Sequence, residues 1–215
     1  MKWFLVNSLV LLLLGNCLWG QKANFQFTAY NDSILKLANS ASEVDYMTEG
    51  EKQVIFYINL LRMNPALFSE SYLQPYLDEH SIKKDKDVKE LMKELEETEG
   101  TMPLKPSELL TKVARNHAVD MGETGRTGHT SSDGKSFKER MAEVSEKYAG
   151  VNENANYGLS DPLAIVIDLL IDRGVPNKGH RKNMLDPLME YVGVAIEPHK
   201  RLRYNCVQVF AGEKR

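Results

Sequence analysis

Residues 150–187 read GVNENANYGLSDPLAIVIDLLIDRGVPNKGHRKNMLDP, and the chain is organised around them. Asp161 and Pro162 predict a helix start: an Asp cap, then Pro at the first helical position, where its missing N–H costs nothing. Gly174 is the expected stop, with Pro176 just beyond it. Before the helix, the polar run around Glu153 reads as an acidic turn. After it, a loop delivers His180. Ile165, Asp168, Leu169 and Asp172 fall at i, i+3, i+4 and i+7 and so share one helical face. Asp168 and Asp172 form a like-charge i,i+4 pair in the half of the helix whose dipole disfavours negative charge. Two readings stay open: the carboxylates face solvent, or a cation, metal or histidine offsets them.

Upstream, a helix is predicted over 106–122, with Leu110, Val113, Ala114, His117, Ala118 and Met121 on its buried side. A histidine on an apolar face reads as a core residue sooner than as a ligand. The glycine-rich loop 122–134 follows, and Gly125 and Gly128 place His129 where the backbone presents it. Ser136 and Glu139 then have capping-box spacing, opening a short helix with Phe137, Arg140, Met141 and Val144. Downstream, 191–197 and 203–210 alternate like strands around the turn Pro198-His199-Lys200, which predicts an antiparallel hairpin. Which alternate set of the second strand faces inward is open. Cys206 reads as a small strand residue with nothing to depress its pKa.

At the N-terminus, residues 1–20 carry Lys2, an apolar run from Leu9 to Leu14, then small and polar residues. That is the pattern of a secretory signal peptide, with cleavage expected after Gly20. Its apolar core is too short to span a membrane. Asn16 before Cys17 departs from a lipoprotein box, so no lipid anchor is assigned there. Residues 21–47 are polar and irregular and read as a loosely ordered N-terminal arm. Thr48 and Glu51 then form a capping box, and Val54, Ile55, Ile58, Leu61 and Arg62 carry a helical period up to Asn64-Pro65, with a second short helix after Pro65. Residues 76–100 are dense in mixed charge. Val88, Leu91, Met92 and Leu95 lay one apolar stripe there, and the charges read as a solvated face with no assigned function.

The 215 residues carry 27 basic and 30 acidic side chains, a formal net charge of −3. There is no basic excess to attract nucleic acid, and no other segment is long and apolar enough to cross a bilayer. With Cys17 in the leader, Cys206 stands alone and no internal disulfide is expected. The order of elements, helices first and terminal strands last, predicts an α+β fold with an antiparallel sheet covered by helices.

Leu109 to Met121, then Gly128-His129-Thr130, Asn152-Glu153-Asn154, Gly179-His180-Arg181 and Val192-Gly193-Val194-Ala195 together resemble the CAP superfamily. Its members include cysteine-rich secretory proteins, venom allergen antigens and plant pathogenesis-related proteins, and its domain is also called SCP. The likeness is to disulfide-poor bacterial members and places a CAP domain at 48–215, with the charged helix at 76–100 as an insertion. It implies a three-layer α–β–α sandwich with a central antiparallel sheet and a surface cleft. It also implies a cleft tetrad of His129, Glu153, Asp172 and His180. Asn152 stands where the family usually has Gly, and Asp172 where eukaryotic members commonly have Glu.

Two neutral imidazoles, His129 and His180, could bind Zn²⁺ with the carboxylates behind them, but two protein ligands are fewer than the usual three, so binding is expected to be weak or conditional. A metal-free ion-pair network involving Arg173 and Arg181 is the alternative. Three functions remain open. One is a secreted module binding a small ligand, lipid, peptide or glycan. Another is a metal-dependent hydrolase with Glu153 as base. The third is a non-catalytic interaction scaffold. There is no H-E-x-x-H, no G-x-S-x-G and no cysteine placed to attack, so binding is favoured over catalysis and no catalytic residue is assigned.

Overall fold

The computed structural model describes residues 30–214, so the leader, its cleavage point and Cys17 lie outside the described residues. A four-stranded sheet forms the middle layer in the order β1 (Lys105–Pro106), β3 (Tyr191–His199), β4 (Arg203–Glu213), β2 (Tyr148–Tyr157). β2, β4 and β3 are antiparallel, and the two-residue β1 adds a parallel pairing to β3. The expected hairpin is β3–β4, closed with His199 opposite Arg203.

Both alternate sets of β4 face inward, because both faces of the sheet are covered. Residues 205–211 are all buried. Cys206 and Phe210 pack with α1 (Asp32–Ala38), α2 (Glu49–Met63), α5 (Lys86–Glu97) and α9 (Pro162–Ile171). Val207, Val209 and Ala211 pack instead with α6 (Glu108–Thr124) and α8 (Ala142–Lys147). Alternation alone cannot select a face when helices cover each one. The result is an α–β–α sandwich with two cores. α6 lies against β3 so closely that a Cβ on Gly193 would meet Leu110 C and Thr111 N at 2.1 Å.

Local signals account for most helix starts. Thr48 and Glu51 form the reciprocal cap of α2, and Ser136 and Glu139 do the same for α7 (Phe137–Arg140). The buried Glu51 carboxylate also accepts from Arg115 at 2.8 Å and from the Ile196 N–H at 3.0 Å, which ties the cap to the sheet. α3 (Pro65–Phe68) is the second short helix after Pro65. A π-helical turn, Ser69–Leu73, and α4 (Gln74–Glu79) continue it.

Three expectations need correction. The segment 30–47 is packed, not loose: Asn31 caps α1, and Tyr30, Ala38, Ala41 and Met47 are buried. Its buried residues are too widely spaced among polar ones to show a period. α6 runs through Gly122 to a cap at Gly125, and Gly122 serves close approach, since a Cβ there would lie 2.2 Å from Pro198 O. Finally, α9 stops at Ile171, not at Gly174. Asp172 is itself the C-cap, left-handed at φ 52.

Two imidazole–carboxylate pairs at an edge strand

The NEN run is not a turn. Glu153 lies mid-strand in β2, opposite Val209, with Asn154 opposite Gln208. Asn-rich segments read as turns because their side chains usually bond their own backbone. Here the partners are distant: Asn154 Nδ2 donates to Gln208 Oε1 and His180 O, both at 3.1 Å, and Asn156 Nδ2 donates to Asp168 Oδ2 at 2.7 Å. Strand alternation then sets Glu153 toward α6 and the asparagines toward α9 and α10 (Gly179–Leu185).

The first pair is His129 with Glu153. The Glu153 carboxylate, only 1% exposed, accepts from His129 Nδ1–H at 2.8 Å and from Arg140 Nη2 at 2.7 Å. Burial pushes this carboxyl's pKa up. The hydrogen bonds from His129 and Arg140, with the Arg140 charge, outweigh burial and hold it below the ordinary range. The loop beneath His129 is fixed through Gly128. Its N–H donates to Tyr157 Oη at 2.8 Å, and its carbonyl accepts from His117 Nε2–H at 2.9 Å. Arg140 also donates to His129 O at 2.9 Å. His117 is a core residue, as expected from its place on α6. It nonetheless borders the site, with Nε2 3.9 Å from Glu153 Oε1. Burial lowers its pKa and favours the neutral ring, against the pull of Glu153.

Asp172 and His180 make the second pair. Asp172 Oδ1 accepts His180 Nδ1–H at 2.7 Å, and Oδ2 accepts the His180 backbone N–H at 3.0 Å. His180 stands in the first turn of α10 rather than on a loop. An acid at the end of α9 opposes the helix dipole, and nearby cations offset it. Lys178 Nζ donates to Asp172 O at 3.0 Å, and Arg181 donates to Leu170 O at 2.8 Å and Ile171 O at 3.3 Å. Asp172 thus meets a histidine, whereas Asp168 is exposed and bonds Asn156.

With this geometry in hand, the comparisons decide the family. The profile of the cysteine-rich secretory protein family, CAP, matches residues 56–210, well over half of the chain. The chain belongs to the CAP family. A relative, the Bacillus subtilis (strain 168) protein YkwD, is 30% identical over 110 residues, covering 51% of this chain and 41% of YkwD, so the chain matches less than half of that protein's length. Among solved structures, an extracellular SCP-domain protein from Bacillus anthracis str. Ames is 22% identical over 53% of this chain and 35% of its own, at TM-score 0.44. An outer surface protein from Borrelia burgdorferi is 21% identical over 62% of this chain and 97% of its own, at TM-score 0.45.

Within this CAP domain the tetrad residues meet as two pairs, and no hydrogen bond among the described residues joins one pair's side chains to the other's. The link runs along the outer edge of β2. Asn183 of α10 donates to Glu153 O at 3.4 Å and to Asn154 Oδ1 at 2.8 Å, while Asn154 holds His180 O. A cavity of about 440 Å³ is lined by His117, Arg140, Asn116, Asp120, Ser131 and Lys135 among others; His117 and Arg140 connect it to Glu153, and none of the four tetrad residues lines it. Four buried polar atoms of this cluster make no hydrogen bond among the described residues: His117 Nδ1, Arg140 Nε and Nη1, and Glu153 Oε2.

The ion-pair alternative had the wrong arginines. Arg140 is the cation on the tetrad, while Arg173 and Arg181 pair with α5. Arg140 lay one residue beyond the Glu139 cap and carried no signal beyond a charge on a short helix. Among the described residues no group of three or more His, Cys, Asp or Glu side chains is placed to hold a metal. Cys206 is buried, and burial pushes its thiol pKa up, which leaves it inert. No helix among the described residues is long and apolar enough to cross a membrane.

Proposed function

We propose that this CAP-domain chain is exported and binds a small polar ligand at the edge of β2, with His129 and His180 together holding a divalent cation such as Zn²⁺ weakly. The observation that carries this reading is the matched pair of Nδ1 bonds, His129 to Glu153 at 2.8 Å and His180 to Asp172 at 2.7 Å. Each bond leaves the ring's Nε2 lone pair available, and neither Nε2 has a hydrogen-bond partner among the described residues. A carboxylate behind an imidazole fixes its tautomer and raises its basicity toward a metal. Imidazole donors suit zinc, and a bound zinc would supply Lewis acidity. With two protein donors, fewer than the three usual for catalytic zinc, the affinity is expected to be modest.

The adjoining cavity supports a polar ligand such as a peptide or glycan over a lipid, because its walls carry Asn116, Asp120, Ser131 and Lys135. His117 and Arg140, which line that cavity, each keep a side-chain nitrogen with no hydrogen-bond partner among the described residues. Export rests on the leader read from residues 1–20. Calorimetric titration with Zn²⁺ at neutral pH tests the metal part. Heat of binding is expected for the full chain and for His117→Ala, and its loss for the His129→Ala/His180→Ala double variant. Equal binding by the double variant, or none by the unmodified chain, would leave the pairs as purely structural ion pairs.

A further inference from the structure

The charged face of α5 is only half solvated. Asp87, Glu90 and Glu94 fall at i, i+3 and i+7, beside the buried stripe of Val88, Leu91 and Leu95. Asp87 Oδ1 meets Lys178 Nζ at 2.9 Å. Glu94 Oε2 meets Arg181 Nη1 at 2.6 Å, and Glu90 Oε1 lies 3.5 Å from the same atom. At the head of the helix, the capping residue Asp85 holds Arg173 Nε at 2.8 Å. The three cations all come from the segment that carries Asp172 and His180.

Lys178 and Arg181 are the two side chains that cap the last carbonyls of α9, at Leu170, Ile171 and Asp172. Those carbonyls have no partner inside the helix. Arg181 is fully buried, so its charge needs compensation, and α5 supplies it. Lys178 holds a left-handed conformation at φ 50, as Asp172 does at φ 52, which leaves the turn between α9 and α10 dependent on contacts outside itself. By contrast Lys89 and Glu96, on the outer side of α5, are exposed and in no ion pair among the described residues.

We propose that α5 is a positioning element for His180: its carboxylates clamp Lys178 and Arg181, and through them preset the Asp172–His180 pair for binding. The metal part of this inference rests on the function proposed above, while the clamp itself does not. Asp87→Asn/Glu90→Gln/Glu94→Gln tests it in the full chain, with Lys89→Gln/Glu96→Gln as the control. Arg181 keeps its hydrogen bonds to Leu170 O and Ile171 O in this variant, and each amide retains an acceptor oxygen where the carboxylate stood.

Amide hydrogen exchange by NMR is the first readout. The His180 amide, which donates to Asp172, is expected to exchange about tenfold faster in the triple variant while amides of β4 keep their rates. Zn²⁺ affinity is the second readout and is expected to fall by a similar factor of about ten, with the control unchanged in both. A His180 amide rate equal to the unmodified chain's would overturn the clamp. So would equal acceleration throughout the chain, which marks a generic loss of stability. If the unmodified chain binds no zinc, the metal reading fails and the exchange comparison alone decides the clamp.

Discussion

Asp172 holds His180 twice, taking Nδ1–H on one carboxylate oxygen at 2.7 Å and the backbone N–H on the other at 3.0 Å. It does so from a left-handed C-cap position, where Asp and Asn are the tolerated non-glycine residues. The side chain that ends α9 therefore also sets the ring that begins α10. Asp172→Asn keeps the backbone geometry but offers one acceptor oxygen in place of two. The expected loss is about 1–2 kcal/mol in urea unfolding. Zinc affinity is expected to fall about 10–100-fold, as for lost partners of metal-bound histidines. Ring ¹⁵N shifts of His180 should show a mixture of tautomers in place of one.

Arg140 is the cation on which the other pair depends. Its guanidinium is nearly buried, and it bonds both Glu153 and the His129 carbonyl. Arg140→Met leaves a buried carboxylate without its charged partner, at an expected cost of about 3 kcal/mol. Arg140→Lys restores the charge without the planar fork and should recover part of that loss. Urea midpoints of the three proteins at neutral pH check the order.

His117 gives the stability a pH signature. Burial lowers its pKa in the fold, so the unfolded chain takes up its proton first as pH drops. Its contribution is complete above the unfolded value of about 6.5 and is lost as pH falls from there through the lowered folded value. Glu153, whose pKa is also held down, adds a second loss below the ordinary carboxylate range. His117→Gln keeps a donor for Gly128 O without a titrating ring. Its stability between pH 7 and 5 should be flatter than that of the unmodified chain; parallel curves would contradict the assignment.

Gly193→Ala should be severe although no side chain is lost. The new Cβ meets α6 backbone, which cannot yield by a rotamer change. The expected cost is about 3 kcal/mol, read from thermal unfolding.

What the sequence disclosed followed the range of each interaction. Thr48 with Glu51, Ser136 with Glu139, and Asp161 with Pro162 are local signals, and each starts a helix where expected. The β3–β4 hairpin is also local. β2 was hidden because the partners of Asn154 and Asn156 come from β4, α9 and the start of α10. α5 was half legible: its apolar stripe shows a period, but an acidic row bound to Lys178 and Arg181 has the same spacing as one facing water. Arg140 was missed for a similar reason, since one arginine on a four-residue helix carries no mark of the carboxylate it will meet. The end of α9 was misplaced by two residues because Gly174 is the stronger stop signal, whereas Asp172 gains its position from His180 and Lys178.

The proposed function requires His129 and His180 to share one cation across the edge of β2. X-ray absorption at the zinc edge, on protein carrying one equivalent of Zn²⁺, tests it most directly. Two imidazole nitrogens per zinc are expected, at about 2.0 Å. The count should drop to one in His129→Ala and in His180→Ala and to none in the double variant. Zinc bound by a single imidazole in the unmodified chain, or by the same donors after both histidines are removed, would contradict it.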